Sequence, residues 1–253
     1  MNDSDFTTHV TEQLAKLPKV EAVVLGGSRG SGAERRDSDW DFTIYYRGAF
    51  DPQEIRELGW PGEVSEIGGW GGGVFNGGAW LQVDGRSVDI HYRDLASIDL
   101  ELSEATMGRF RIEPLMFHLT GVPTYLVIAE LALGQVMSGD LLHPAYPPRL
   151  RERAPQIWWD RADRLFTYAT KNYAARSQPA MCVGIVVQAA CNAAHGVLAH
   201  RGEWITNEKS LLARADLTEL DHIVSGAQHS AAKLQEIVDQ ARELCSATLT
   251  IAE

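Results

Sequence analysis

LGGSRGSGAERRDSDWDF, residues 25–42, runs from the end of an apolar segment through a turn of small residues to two aspartates one residue apart. Ahead of the turn, VEAVVL (20–25) reads as a short buried strand. Behind it, DWDFTIYY (39–46) is rich in β-branched and aromatic residues and reads as the next strand. Strand side chains alternate, so Asp39 and Asp41 share one face while Trp40 points to the other. Glycine lets the backbone approach an anion closely, whereas carboxylates repel one. A site containing both implies a cation between them.

Upstream, DFTTHVTEQLAKL (5–17) places Phe6, Val10, Leu14 and Leu17 near helical spacing, and Pro18 stops the helix. Downstream, GGWGGGVFNGG (68–78) holds seven glycines, which excludes a helix and reads as a hairpin or a loop over a site. Trp80 reads as core; Trp70 is open between core and stacking on a base or sugar. AWLQV and SVDIHY flank a turn centred on Asp84-Gly85, the pattern of a β-hairpin. Helix, strand, strand, irregular segment and hairpin make an α+β plan rather than repeated βαβ units.

Asp89 lies mid-strand between Val88 and Ile90. If its strand neighbours 39–46, Asp89 comes within about 5 Å of the aspartate pair. Three carboxylates at that range repel by roughly several kcal/mol per close pair, so either a proton is retained or a divalent cation sits among them. Hard oxygen ligands suit Mg²⁺, which keeps positions open for water and phosphate oxygens. The turn supplies the complementary half: backbone N–H groups of Gly26, Gly27 and Ser28 can cradle an anion, the Ser28 hydroxyl can donate to a phosphate, and Arg29 adds charge. GGSRGSGA lacks the Lys-Ser/Thr ending of a P-loop and does not fit G-x-G-x-x-G.

The second half reads as helical. PTYLVIAELALGQVMSG (123–139) predicts one apolar helix, and the four prolines of 143–155 predict a hinge or linker. Helices are expected around 156–176, 179–201 and 216–248, packed as a bundle. The domain boundary is therefore expected at 142/143: a mixed β-sheet domain with helices over 1–142, then a C-terminal helical bundle over 143–253.

The net charge of −11 disfavours nucleic acid, whose affinity rests on Lys and Arg, and favours a cationic small molecule or a basic partner. Three cysteines without CxxC spacing read as reduced and buried. No signal pattern and no long uninterrupted apolar run is present, so the expected setting is cytoplasmic, without membrane contact, as a monomer or homodimer.

Gly27-Ser28, ten intervening residues, Asp39-Trp40-Asp41, and then Asp89 on a later strand resemble the DNA polymerase β-like nucleotidyltransferase superfamily over about residues 20–92. The resemblance implies Asp39, Asp41 and Asp89 as Mg²⁺ ligands and Gly27 and Ser28 as triphosphate contacts, with Arg29 and Ser38 beside them. It implies ATP or another NTP as co-substrate and transfer of a nucleoside monophosphate to an acceptor hydroxyl. A helical bundle after the sheet is similar to the antibiotic nucleotidyltransferases, which implies a small, cationic, aminoglycoside-type acceptor.

RLFTYATK (164–171) resembles the helix that carries a phosphate-contacting lysine in the kanamycin enzyme, here Lys171, although Thr167 stands at the base position. Lys209, in NEKSLL, is a further phosphate contact by the same resemblance. Glu130, a carboxylate inside an apolar helix, is the leading candidate for general base, with Asp163, Glu66 and Asp89 as alternatives. A toxin–antitoxin-type transferase acting on a protein or tRNA, and an inactive nucleotide-binding sensor, remain as other readings.

Overall fold

The computed structural model describes residues 1–30, 39–71 and 73–251. The chain divides into two units, one of Met1–Ser103 with Thr124–Ala145, the other of Glu104–Pro123 with Tyr146–Glu253. Residues 104–123, within the first domain on the sequence division at 142/143, cluster with the helical unit.

The first unit contains α1 (Asp3–Leu14), β1 (Val20–Leu25), the single turn α2 (Gly27–Gly30), β2 (Trp40–Tyr46), α3 (Gln53–Arg56), β3 (Gly62–Val64), β4 (Gly78–Val83) and β5 (Arg86–Asp94). Helix α4 (Leu95–Thr106) leads into the second unit, where β6 (Ile112–Glu113) pairs with β7 (Val122–Pro123). The chain then returns to the first unit through α5 (Leu126–Leu133) and β8 (Gln135–Ser138).

The sheet has the order β3-β4-β5-β2-β1-β8. It is mixed: β2 and β5 run parallel, and the remaining neighbours are antiparallel. The expected hairpin joins β4 to β5. Asp84 and Gly85 both have positive φ, +49° and +74°, as a two-residue turn matched to strand twist requires.

Alternation gives the sheet two different faces. Phe42 and Ile44 of β2, Val88, Ile90 and Tyr92 of β5, and Ala79 and Leu81 of β4 are buried on the first face together with α1. Helix α1 supplies Phe6, Val10 and Leu14 at four-residue spacing, each fully buried, and its Asn2 cap accepts the Asp5 amide at 2.9 Å. Burying each of these side chains is worth roughly 1.5–3 kcal/mol. The opposite face carries Asp41, Thr43 and Tyr45 of β2 with Asp89, His91 and Arg93 of β5.

The single helix expected over 123–139 is instead α5 followed by strand β8. Gly134 ends the helix with extended backbone and lies so close to β1 that a Cβ would meet Val24 Cγ1 at 2.3 Å. The next residues hydrogen-bond along β1, an option that helical periodicity cannot reveal.

In the second unit, α6 (Pro148–Tyr168) begins inside the stretch expected as a linker. Pro148 sits in its first turn, where a missing N–H costs nothing, and Pro155 is accommodated further along. Six residues of π-helix, Ala169–Ala174, follow. Helix α7 (Pro179–Arg201) is the buried centre, with alanines at 189, 190, 193, 194 and 199 allowing close approach, and Gly202 caps it in the left-handed region. After the short α8 (Leu211–Arg214), the helix expected over 216–248 is broken: α9 (Leu220–Ser225) is short, and α10 (Ala231–Ile251) starts after GAQHS (226–230). The three cysteines are free and buried, as expected.

Candidate active site

The glycine turn is built onto β2. Gly26 donates its N–H to the Asp41 carbonyl at 2.8 Å, and the Gly30 N–H donates to Gly26 O at 2.8 Å. Gly27 has φ +59°, and a Cβ on it would lie 1.8 Å from Asp41 Oδ2. The Asp41 carboxylate therefore rests against the bare Cα of Gly27. Both the left-handed conformation and the close approach require glycine there. The turn and the first carboxylate form one packed piece.

Across the sheet, Asp41 pairs in register with Asp89, Asp89 with Trp80, and Trp80 with Glu63. Paired residues project to the same face, with strands about 4.8 Å apart. One row thus reads Asp41, Asp89, Trp80, Glu63 over β2, β5, β4 and β3. At that spacing Asp41 and Asp89 repel by about 3 kcal/mol at an effective dielectric near 20.

Asp39 is exposed, one residue ahead of β2. Among the described residues no three His, Cys, Asp or Glu side chains are gathered as a metal cluster. The Asp41–Asp89 pair does suit a hard cation. Magnesium is commonly held by one or two carboxylates, with phosphate oxygens and water filling the other positions.

The next part of the face is a buried ion pair. Arg93, 1% exposed, donates from Nε to Glu130 Oε2 at 2.6 Å and from Nη2 to Glu130 Oε1 at 2.9 Å. Its guanidinium lies 4.2 Å from the Phe75 ring centre, and Nη1 donates to Tyr92 O at 2.9 Å. Glu130, expected as the general base, engages this arginine with both oxygens. His91 Nδ1 is 4.0 Å from Glu130. Burial, aided by the Arg93 charge, pushes the His91 imidazole down to about 4, so it is neutral near pH 7.

The rival bases are also engaged: Glu66 accepts from Arg56 at 2.6 Å, and Asp163 pairs with Arg242. Arg29, expected near phosphate, lies 4.1 Å from the Trp40 ring centre and 3.5 Å from Asp3. Trp40 belongs to the α1 side. Lys171, on the π-helical segment, and Lys209 are exposed side chains of the second unit. Ser38 and the Ser28 side chain lie outside the described residues.

The glycine-rich stretch is pinned to this same face. Trp70 stacks on Trp80, with centroids 5.0 Å apart and 23° between planes, and turns its plane 79° to His91 at 5.7 Å. A Cβ on Gly78 would meet Trp70 Cη2 at 2.3 Å, so Gly78 is the seat of that ring. Trp80, expected in the core, is 47% exposed. Its place beside Asp89 was available from the hairpin: a turn at Asp84-Gly85 pairs residues whose numbers sum to 169, hence 80 with 89.

Residues 9–71 match the sequence model of the Nucleotidyltransferase domain family, a span that includes the glycine turn, Asp39 and Asp41 and ends before Asp89. Among solved structures, a nucleotidyltransferase-like protein from Exiguobacterium sibiricum 255-15 aligns over 99% of this chain and 78% of its own, at 9% identity and a TM-score of 0.46. No curated protein sequence matches the chain.

Proposed function

We propose that this protein, whose residues 9–71 match the Nucleotidyltransferase domain family, moves a nucleoside monophosphate, AMP first among them, from an NTP to a hydroxyl of a small acceptor. The observation that carries the reading is the packing of Gly27 against the Asp41 carboxylate, with Asp89 next to it in register. An aminoglycoside-type antibiotic is the first acceptor to try, because the chain is strongly acidic.

In this reading the turn amides at Gly27 and Ser28 hold the β- and γ-phosphates, the Gly26 amide being taken by the Asp41 carbonyl. Asp41 and Asp89, with Asp39 at the start of the strand, hold Mg²⁺, which when bound neutralises charge on the α-phosphate and the departing pyrophosphate. The acceptor oxygen forms a bond to the α-phosphorus, and the bond from that phosphorus to the β-bridging oxygen breaks with its electron pair on pyrophosphate. Glu66, Asp163 and Glu130 are each engaged by an arginine; if Asp39 and Asp41 alone hold the metal, Asp89 takes the hydroxyl proton. Positioning and charge stabilisation supply most of the catalysis.

Pyrophosphate release with each of four NTPs against aminoglycosides, lincosamides and protein extracts tests this. Asp41→Asn is expected to lower release at least 100-fold; release at the parental rate would sink the reading. A second reading is a nucleotide-binding sensor without transfer. It predicts Mg²⁺-dependent NTP binding with no pyrophosphate from any acceptor.

A further inference from the structure

The row Asp41, Asp89, Trp80, Glu63 has a direction. The glycine turn follows β1 and packs on Asp41, so it lies at the β1 end of the row. The stacked pair Trp70–Trp80 lies on the other side of Asp89, with Trp80 about 10 Å, two strand spacings, from the Asp41 strand. Phosphoryl displacement places the attacking and leaving oxygens roughly in line. If pyrophosphate departs toward the glycine turn, the acceptor approaches from the tryptophan side.

On the proposed transferase reading, we infer that Trp70 and Trp80 are the acceptor subsite, and that the acceptor is a cyclic, amine-bearing molecule laid against the exposed indole. Several features converge on that chemistry. A tryptophan that is 47% exposed in mid-strand is an unusual outlay of apolar area unless a ring covers it. It is held in place, since Trp70 backs it and is itself seated over Gly78. The exposed Glu63 flanks it in register, so a cation over the indole has a carboxylate beside it. A planar nucleobase would gain from stacking but nothing from the flanking carboxylate. An aminated sugar or cyclitol ring gains from both.

The test separates nucleotide from acceptor. Equilibrium titration with Mg²⁺ and α,β-methylene-ATP is run on the parent, Trp80→Ala and Trp80→Phe, and steady-state pyrophosphate release is run over aminated cyclitol glycosides and lincosamides. The expected result is an acceptor KM raised about tenfold in Trp80→Ala with kcat within threefold, largely recovered in Trp80→Phe, and analogue affinity unchanged within twofold. Glu63→Gln raises KM two- to fivefold for amine-bearing acceptors.

An analogue affinity that falls with Trp80→Ala would hand the tryptophans to the nucleobase and overturn the inference, as would an unchanged acceptor KM. If the analogue binds the parent while every aminated ring is inert, the acceptor class is wrong. If the analogue does not bind the parent, the transferase reading itself has failed, and the acceptor subsite falls with it.

Discussion

The two faces of the six-stranded sheet are made by the same strands and obey different rules. Toward α1, Phe42, Ile44, Val88 and Ile90 are fully buried among apolar side chains. One residue away in each strand, the other face carries Asp41, Asp89, His91 and Arg93. The first face stabilises by burial; the second holds charges that must be matched. Arg93 and Glu130 match each other, and Asp41 and Asp89 stand side by side in register. Apolar burial and charge are thus segregated by the period-2 alternation of a strand.

That contrast can be broken by substitution. The largest effect is expected at Arg93→Met, which leaves the Glu130 carboxylate, 14% exposed, facing an apolar replacement. A loss of about 4 kcal/mol is expected by urea denaturation, because breaking one half of a buried pair strands the other charge. Arg93→Met with Glu130→Leu should recover at least half of it; a double variant no better than the single would show that the pair is not the unit.

On the apolar face, Leu14→Ala should cost about 3 kcal/mol from lost transfer and a cavity. It should leave the pH dependence of stability as it is in the parent, and an altered dependence would blur the division between the faces.

The smallest effect concerns pH. Burial pushes both His91, on the charged face, and His195, in the helical unit, down to about 4. The unfolded chain takes up those protons near pH 6.5, while the folded protein does so only near 4. The unfolded state therefore binds more protons across this window, and stability is lost as pH falls through it. Between pH 6.5 and 5.5 each histidine should cost about 1 kcal/mol. His195 stacks on Trp158 at 4.5 Å, so His195→Phe keeps the ring contact and should remove half of that slope. A slope unchanged by His195→Phe would place the titration elsewhere.

Legibility in the sequence followed the range of the determining interaction. The turn, the strand after it and the hairpin were readable because each is set by residues within about ten positions. Trp80 was misplaced, and the partners of Arg29 and Glu130 were not legible, for the opposite reason: their surroundings come from distant segments. Arg29 finds Trp40 and Asp3, Glu130 finds Arg93, and Trp80 is exposed because its strand neighbours place it on the carboxylate face. Residues 135–138 read as helix from their apolar content, yet pairing with β1 outweighed that local preference.

By itself the chain's order of residues determined the glycine turn, the sorting of Asp41 and Trp40 to opposite faces, and the hairpin register that sets Trp80 against Asp89, since backbone alternation and turn geometry are local properties. Tertiary structure decided that β5 lies parallel beside β2, bringing Asp89 to Asp41, and that a buried arginine claims Glu130. Those pairings join segments 37 or more residues apart, where no local preference reaches and only the summed burial of a whole sheet face selects the partner.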